Sequence, residues 1–278
     1  MLSKIGIGTA NFTQNYGILS SGSVIDVDSI LKLAVDNGID TFDTAFAYGD
    51  FPSLLRDNLS DVKIITKFSI LDDYNTIFQK MKYAKEQNNF DGYYGLLIHD
   101  PQNLAEVNKS EIVSLFDKLR KNNLVKKIGI SVYDISDLKN FRNIIDPDII
   151  QIPLNPLNQI FVNDKFVNYV EQQGIEVHAR SLFLQGVLLS DKLPESLNDL
   201  EPLWRLYMEV TKSYNSRLDA LLSWALTHQW VSKWILGVSC KQDLEGIIES
   251  KNQAVSPSFF ALKNMSHTMA DPRNWKAA

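Results

Sequence analysis

Four residues have side chains suited to delivering a proton to a carbonyl, and they come in an order that a closed fold can gather. Asp43 and Tyr48 stand in "TFDTAFAY", Lys67 ends "KIITK", and His99 ends "LLIH". Reducing a carbonyl by hydride leaves an alkoxide that needs a proton. A phenol can give one, but its ordinary pKa is near 10. A lysine ammonium at about 4 Å, in a medium of effective dielectric about 20, favours the phenolate by on the order of 4 kcal/mol before desolvation is subtracted. Asp43 would hold that lysine charged and oriented. His99 would donate a hydrogen bond to the carbonyl oxygen and aim the substrate. Each residue alone has a plainer reading: an aspartate as a cap, a tyrosine as packing, a lysine as surface charge, a histidine before Asp-Pro as a turn former. Only their combination on neighbouring strand ends points to catalysis.

The elements that must position them are short apolar runs alternating with helical patterns of ten to fifteen residues, the signature of parallel strands with crossover helices. Eight strands are predicted at Lys4–Gly8, Thr41–Ala45, Lys63–Lys67, Gly95–Asp100, Lys126–Ser131, Ile149–Leu154, Glu176–Ser181 and Trp234–Ser239. Most are β-branched and apolar, as strands buried on both faces should be. Asp26 or Asp28 can cap a helix that turns Val27, Ile30, Leu31, Ala34 and Val35 inward and ends at Gly38. Asn108 or Ser110 can cap another that buries Ile112, Val113, Leu115, Phe116 and Leu119, with Lys118, Arg120 and Lys121 at the end where the macrodipole favours cations. The pattern predicts an α/β fold, a single-domain (β/α)8 TIM barrel over residues 1–278, whose strand C-termini converge on one face. An open doubly wound sheet is the alternative, but "GIGTANF" after the first strand lacks its glycine fingerprint. A long connection over about 182–215, holding an extra helix around 200–210, and a tail over about 255–278 are the places where such a barrel builds a substrate site.

The net charge of −5 with no basic run disfavours a nucleic-acid partner, and no apolar run is long enough to cross a bilayer. The N-terminus shows no signal-peptide h-region, and Cys240, the single cysteine, excludes an intrachain disulfide. A cytoplasmic location is expected. His178, His228 and His267 have no ligand spacing, so no metal site is expected. Tyr16 and Phe46, in the loops after the first two strands, are candidates to line a substrate pocket, and plain packing is an equal reading of Phe46.

The segments "GIDTFDTAFAYGD", "IITKF", "LLIHDP" and "KIGISVYD" closely resemble the aldo-keto reductases, and the resemblance runs from Lys4 to Ser250. It implies a barrel that binds an extended nicotinamide dinucleotide, with Asp43, Tyr48, Lys67 and His99 as the catalytic tetrad. It also implies that Ser131 and Gln151 contact the nicotinamide carboxamide and that Gly8 and Thr9 lie beside the cofactor. The residue after Ser131 is Val132 where the family usually has asparagine. Arg180 stands where many members stack an aromatic on the nicotinamide ring; its guanidinium can stack, contact phosphate, or form a structural salt bridge.

The junction "GVSCKQDLEG" is similar to the family's site for the adenosine ribose 2′-phosphate, which assigns Gly237, Ser239, Lys241 and Asp243 to the cofactor. Asp243 there would repel a phosphate, and Lys241 would compensate. NADP is the expected cofactor and NAD the alternative. "RSLFLQG" and the C-terminal "DPRNW" resemble a branch met beside polysaccharide and sugar-nucleotide enzymes, where Trp275 can either fold over the mouth or pin the tail to the barrel wall. The expected partner is a small carbonyl compound, an aldehyde, ketone, sugar or sugar nucleotide. Two other readings keep the barrel: a non-catalytic, cofactor-binding regulator like the potassium-channel beta subunits, and a redox-neutral sugar-modifying enzyme with bound cofactor.

Overall fold

A computed structural model describes residues 1–13, 25–49, 51–54, 62–88, 90–102, 104, 107–265 and 268–275. Eight parallel strands close into a barrel in sequence order: β1 (Ile5–Gly8), β2 (Thr41–Asp43), β3 (Lys63–Phe68), β4 (Tyr93–Ile98), β5 (Val125–Ser131), β6 (Ile149–Pro153), β7 (Glu176–Arg180) and β8 (Lys233–Gly237), with β1 paired to β8 through Ile5–Trp234 to Gly8–Gly237. All eight predicted strands are present. Their ends move because the final rung depends on the loop that follows. The last strand stops at Gly237 rather than Ser239, since the Ser239 and Cys240 N–H groups turn away to the Asp243 carboxylate.

The helices are α1 (Ala10–Thr13), α2 (Val27–Asp36), α3 (Tyr74–Asn88), α4 (Lys109–Lys121), α5 (Ile135–Arg142), α6 (Asp164–Gln173), α7 (Glu201–Thr211), α8 (Arg217–Thr227), α9 (Lys241–Glu249) and α10 (Ser258–Ala261). Asp26 caps α2 by accepting from the Ser29 N–H, and Gly38 follows its end at φ 75°, a left-handed position that suits glycine. Asn108 caps α4, which buries Ile112, Leu115, Phe116 and Leu119 and carries Lys118, Arg120 and Lys121 in its last turn. Val35 was expected on the buried face of α2 but is exposed, because the contact stripe narrows to Ile30, Leu31 and Ala34. The long connection holds α7 at the predicted place, preceded by two 3₁₀ turns, Val187–Leu189 and Glu195–Leu200. Among the described residues no helix is long and apolar enough to cross a membrane.

Inside the barrel the side chains fall into three levels. The floor is ionic: Glu176 accepts from the Tyr94 hydroxyl and from Lys127 Nζ, each at 2.6 Å, and Asp40 pairs with Lys63 at 2.9 Å and Lys233 at 2.7 Å. Above it Ile65, Leu97 and Ile149 form a small, fully buried apolar waist. Gly129 is required at this level, since a Cβ there would sit 1.9 Å from the Ile149 carbonyl oxygen. The mouth, at the strand C-termini, is polar.

Candidate active site

Asp43 ends β2, Lys67 is the penultimate residue of β3, and their parity on the strands turns both inward. Lys67 Nζ lies 2.5 Å from Asp43 Oδ2 and also donates to the Thr44 carbonyl at 3.0 Å. The second carboxylate oxygen of Asp43 accepts from Gln151 Nε2 of β6 at 2.8 Å, from across the barrel. Both oxygens of Asp43 are therefore used, and the lysine and aspartate are 3% and 6% exposed. Burial pushes the Lys67 ammonium pKa down; Asp43 opposes that shift and the Arg180 charge adds to it.

Tyr48 closes a 3₁₀ turn, Phe46–Tyr48, just beyond β2, and Gly49 leaves that turn at φ 99°. The Tyr48 hydroxyl is 3.4 Å from His99 Nε2, with the two rings nearly perpendicular at 87°. Lys67 Nζ lies 5.7 Å from the centre of the Tyr48 ring. Burial, and then the charge of Lys67, push the His99 pKa down to about 4, so its imidazole is neutral near pH 7. The four residues singled out from the sequence thus meet at one end of the barrel.

The remaining expected site residues divide. Ser131 Oγ accepts from Arg180 Nε at 3.4 Å, and Gln151 Oε1 is buried with no hydrogen-bond partner among the described residues. Thr9 secures the end of β2, with its N–H and hydroxyl both donating to the Asp43 carbonyl, at 2.9 and 3.2 Å. Gly8 and Gly237 lie at the same rim, on the paired ends of β1 and β8. Ser239 Oγ accepts from Asn11 Nδ2 at 3.1 Å, which ties the first loop to the last.

Asp243 does not confront an open anion site. Its Oδ2 accepts from the N–H groups of Ser239 at 2.7 Å and Cys240 at 3.2 Å, so it caps its own helix. Lys241 reaches Glu245 at 3.4 Å one turn along.

Three residues whose sequence context leaves more than one reading show definite contacts. Phe46 packs edge-on against Tyr93, ring centres 6.4 Å apart, with Lys80 of α3 over its ring, so it belongs to the packing around the barrel rather than to a pocket lining. Trp275 donates through Nε1 to the Met269 carbonyl at 2.8 Å and packs on the core, so it pins the tail instead of folding over the mouth. Arg180 has no carboxylate within ion-pair distance among the described residues, so no salt bridge is seen for it there. Its guanidinium instead stacks 4.3 Å from the Tyr133 ring centre. Tyr16 lies outside the described residues.

The sequence reading missed Asn11, Tyr133 and Arg273. Asn11 Oδ1 is buried without a partner among the described residues. Arg273, within "DPRNW", stacks 3.6 Å from the centre of the same Tyr133 ring. The signal for Tyr133 was present, since it directly follows Ser131 and Val132 at a strand end. It also missed the turn after Arg180. There Ser181, Leu184 and Gln185 hold φ of 65°, 47° and 54°, a conformation that side chains disfavour and that marks an over-determined segment. The Ser181 carbonyl is held by Asn155 Nδ2 at 3.1 Å.

A closed eight-stranded α/β barrel with a buried ion pair beneath a tyrosine–histidine couple at its C-terminal mouth defines the class of protein. The family model for the Aldo/keto reductase family matches residues 4–263, and the chain belongs to that family. Membership marks it as an oxidoreductase of carbonyl compounds. Among solved structures the chain resembles the aldo-keto reductase AKR11C1 from Bacillus halodurans in its holo form, at TM-score 0.74 and 16% identity, covering 95% of this chain and 92% of that one. It also resembles the glycerol dehydrogenase AKR11B4 from Gluconobacter oxydans (TM-score 0.68, 16% identity, 94% and 90% covered). An aldo/keto reductase from Brucella melitensis is similar at TM-score 0.64 and 18% identity, with 95% of each chain covered. At these identities the likeness is one of fold. No curated protein gives a significant match.

Proposed function

We propose that this chain transfers hydride between a nicotinamide cofactor and a small carbonyl compound or its alcohol, with Tyr48 as the general acid and base. The observation that carries the reading is the Tyr48 hydroxyl set 3.4 Å from a neutral His99 and above a lysine buried with its own counter-ion. Two of the three Lys67 donors go to Asp43 and Thr44, which leaves the third for the phenol oxygen. A donor aimed at that oxygen would favour the phenolate and ease release of the proton to a developing alkoxide. His99, being neutral, orients the carbonyl oxygen by a hydrogen bond without competing as an acid. In the reverse direction Tyr48 takes the proton of the alcohol.

The residues present fit a nicotinamide. Gln151 Oε1 is a buried acceptor lacking a donor, as a carboxamide N–H would supply, and Ser131, accepting from Arg180, keeps its O–H proton to donate to the carboxamide oxygen. When bound, this cofactor supplies or takes up the hydride. NADP is the family's expected form, but the geometry at α9 favours NAD: the N–H groups of Ser239 and Cys240 already hold the Asp243 carboxylate, and a 2′-phosphate at that junction would meet its charge. Comparing kcat/KM for NADH and NADPH tests the cofactor reading, and a preference for NADPH would overturn it. A panel of aldehydes and ketones assayed with wild-type protein and Tyr48→Phe tests the reaction itself.

A further inference from the structure

Among the described residues, Arg180 is a charge at the mouth with no carboxylate within ion-pair distance. It ends β7 with the inward parity of Glu176 and His178, at the rim where Ser131 and Gln151 end their own strands. Its three hydrogen bonds, to Ser131 Oγ, Ser181 Oγ and the Val132 carbonyl, all measure 3.4 Å, beyond the usual range, and all reach neutral acceptors. Its charge is felt at the reacting centre, since it pushes down the pKa of both Lys67 and His99. Asp43, the carboxylate of the site, is already engaged by Lys67 and Gln151. A half-buried guanidinium with five donors and no anion among the described residues is an incomplete arrangement, and it is unexpected in a chain whose net charge is −5.

The group also lies against a ring. The Tyr133 ring lies 4.3 Å from the Arg180 guanidinium carbon and 3.6 Å from that of Arg273, which the C-terminal tail brings to the rim. Arg273 is itself neutralised by Asp271, through Nη2 at 2.5 Å and Nε at 2.9 Å to Oδ2. It therefore braces Tyr133, and among the described residues Arg180 is left without a compensating anion. A planar guanidinium lying against a ring, with no anion among the described residues, presents a two-pronged fork that matches a carboxylate or phosphate.

We propose that the substrate is an anionic carbonyl compound, with a carboxylate or phosphate near its carbonyl group, and that Arg180 binds that anion while Tyr133 and Arg273 position it. This rests on the proposed reductase reading and adds the substrate's charge class. A phosphate of the cofactor offers the same chemistry, so the test separates the two sources.

The test uses two matched pairs with saturating reduced cofactor: 4-formylbenzoate against 4-formylbenzamide, and glyceraldehyde 3-phosphate against glyceraldehyde. For at least one pair the anion is expected to have a kcat/KM about tenfold or more above its neutral partner, the size of a charge-assisted hydrogen bond. Added salt should erode that preference. In Arg180→Gln the ratio should fall toward one. In Tyr133→Ala and Arg273→Gln it should fall part of the way, whereas Tyr133→Phe, which keeps the ring face, should retain it. Because the readout is a ratio, general damage to the barrel does not move it. Calorimetric titration of the same pairs into protein carrying oxidised cofactor reads the preference without turnover. Absence of any reaction would therefore sink the reductase reading, while absence of the preference would sink this one. Equal values for both pairs, or a preference that survives Arg180→Gln, would overturn the proposal. So would an Arg180→Gln variant whose only loss is affinity for reduced cofactor, measured by its fluorescence, since the cofactor's phosphate would then be the partner.

Discussion

Lys67 and Asp43 sit 2.5 Å apart, nearly closed to water, and Asp43 spends its second oxygen on Gln151. Neither charge can be removed without stranding the other in a medium that solvates it poorly. Lys67→Met is expected to cost about 3–5 kcal/mol of stability, the usual penalty for breaking a buried pair. Asp43→Leu added to Lys67→Met should recover part of that loss, because the double variant buries no lone charge. Urea unfolding of the two variants against wild type checks the order. A single variant as stable as wild type would mean that the pair is not buried in solution.

Acid should weaken the fold in two stretches. His99 has its pKa lowered from 6.5 to about 4 by burial and the Lys67 charge, so below pH 6.5 the unfolded chain takes up a proton that the folded chain refuses. Stability falls between those values. Burial alone would raise the Glu176 carboxyl, but its contacts with His178, Lys127 and Tyr94 outweigh that and lower it from 4.5 to about 2. Its contribution is complete above pH 4.5 and is lost toward pH 2. Unfolding midpoints measured from about pH 3 to about pH 8 should show the decline. Glu176→Gln should flatten its lower part and leave the upper part in place.

Gly129 has a steric role that a methyl group exposes. An added Cβ would approach the Ile149 carbonyl oxygen to 1.9 Å, and that oxygen belongs to the neighbouring strand. Gly129→Ala must separate β5 from β6, against the apolar waist of Ile65, Leu97 and Ile149. A loss of more than about 3 kcal/mol, or failure to accumulate folded protein, is expected, as for overpacking that backbone cannot relax. Thermal unfolding within a few degrees of wild type would contradict it.

Asp243 should govern cofactor choice through the two N–H groups it occupies. Asp243→Ser removes the charge and keeps a weaker cap for α9. The ratio of kcat/KM for NADPH over NADH is expected to rise by about tenfold, the effect of relieving one close like-charge contact. An unchanged ratio would show that the 2′-position lies elsewhere.

The architecture was legible because strands buried on both faces must be written as β-branched apolar runs, and Ile149–Pro153 or Lys63–Phe68 admit little else. The four polar residues stood out for the converse reason: Asp43, Lys67 and His99 break such runs at the end that faces the mouth. What stayed hidden depends on distant partners. Gln151 was read as a cofactor contact, yet one end of its amide is tied to Asp43, 108 residues away. Arg180 and Arg273 share the Tyr133 ring only because the tail returns to the rim. Phe46 stays open between pocket and packing in the sequence since a loop position does not say which side of the turn its ring takes, and here it takes the side of Tyr93 and Lys80.

Single-turnover hydride transfer by Tyr48→Phe tests the account most directly. With reduced cofactor bound and a carbonyl substrate turned over by wild type, the variant should lose at least about 100-fold in the transfer rate, the scale of general acid catalysis. Its fluorescence titration with reduced cofactor should match wild type within about threefold, since no cofactor contact is assigned to that hydroxyl. A variant that transfers hydride at the wild-type rate would contradict the role given to Tyr48, and with it the reading of the site.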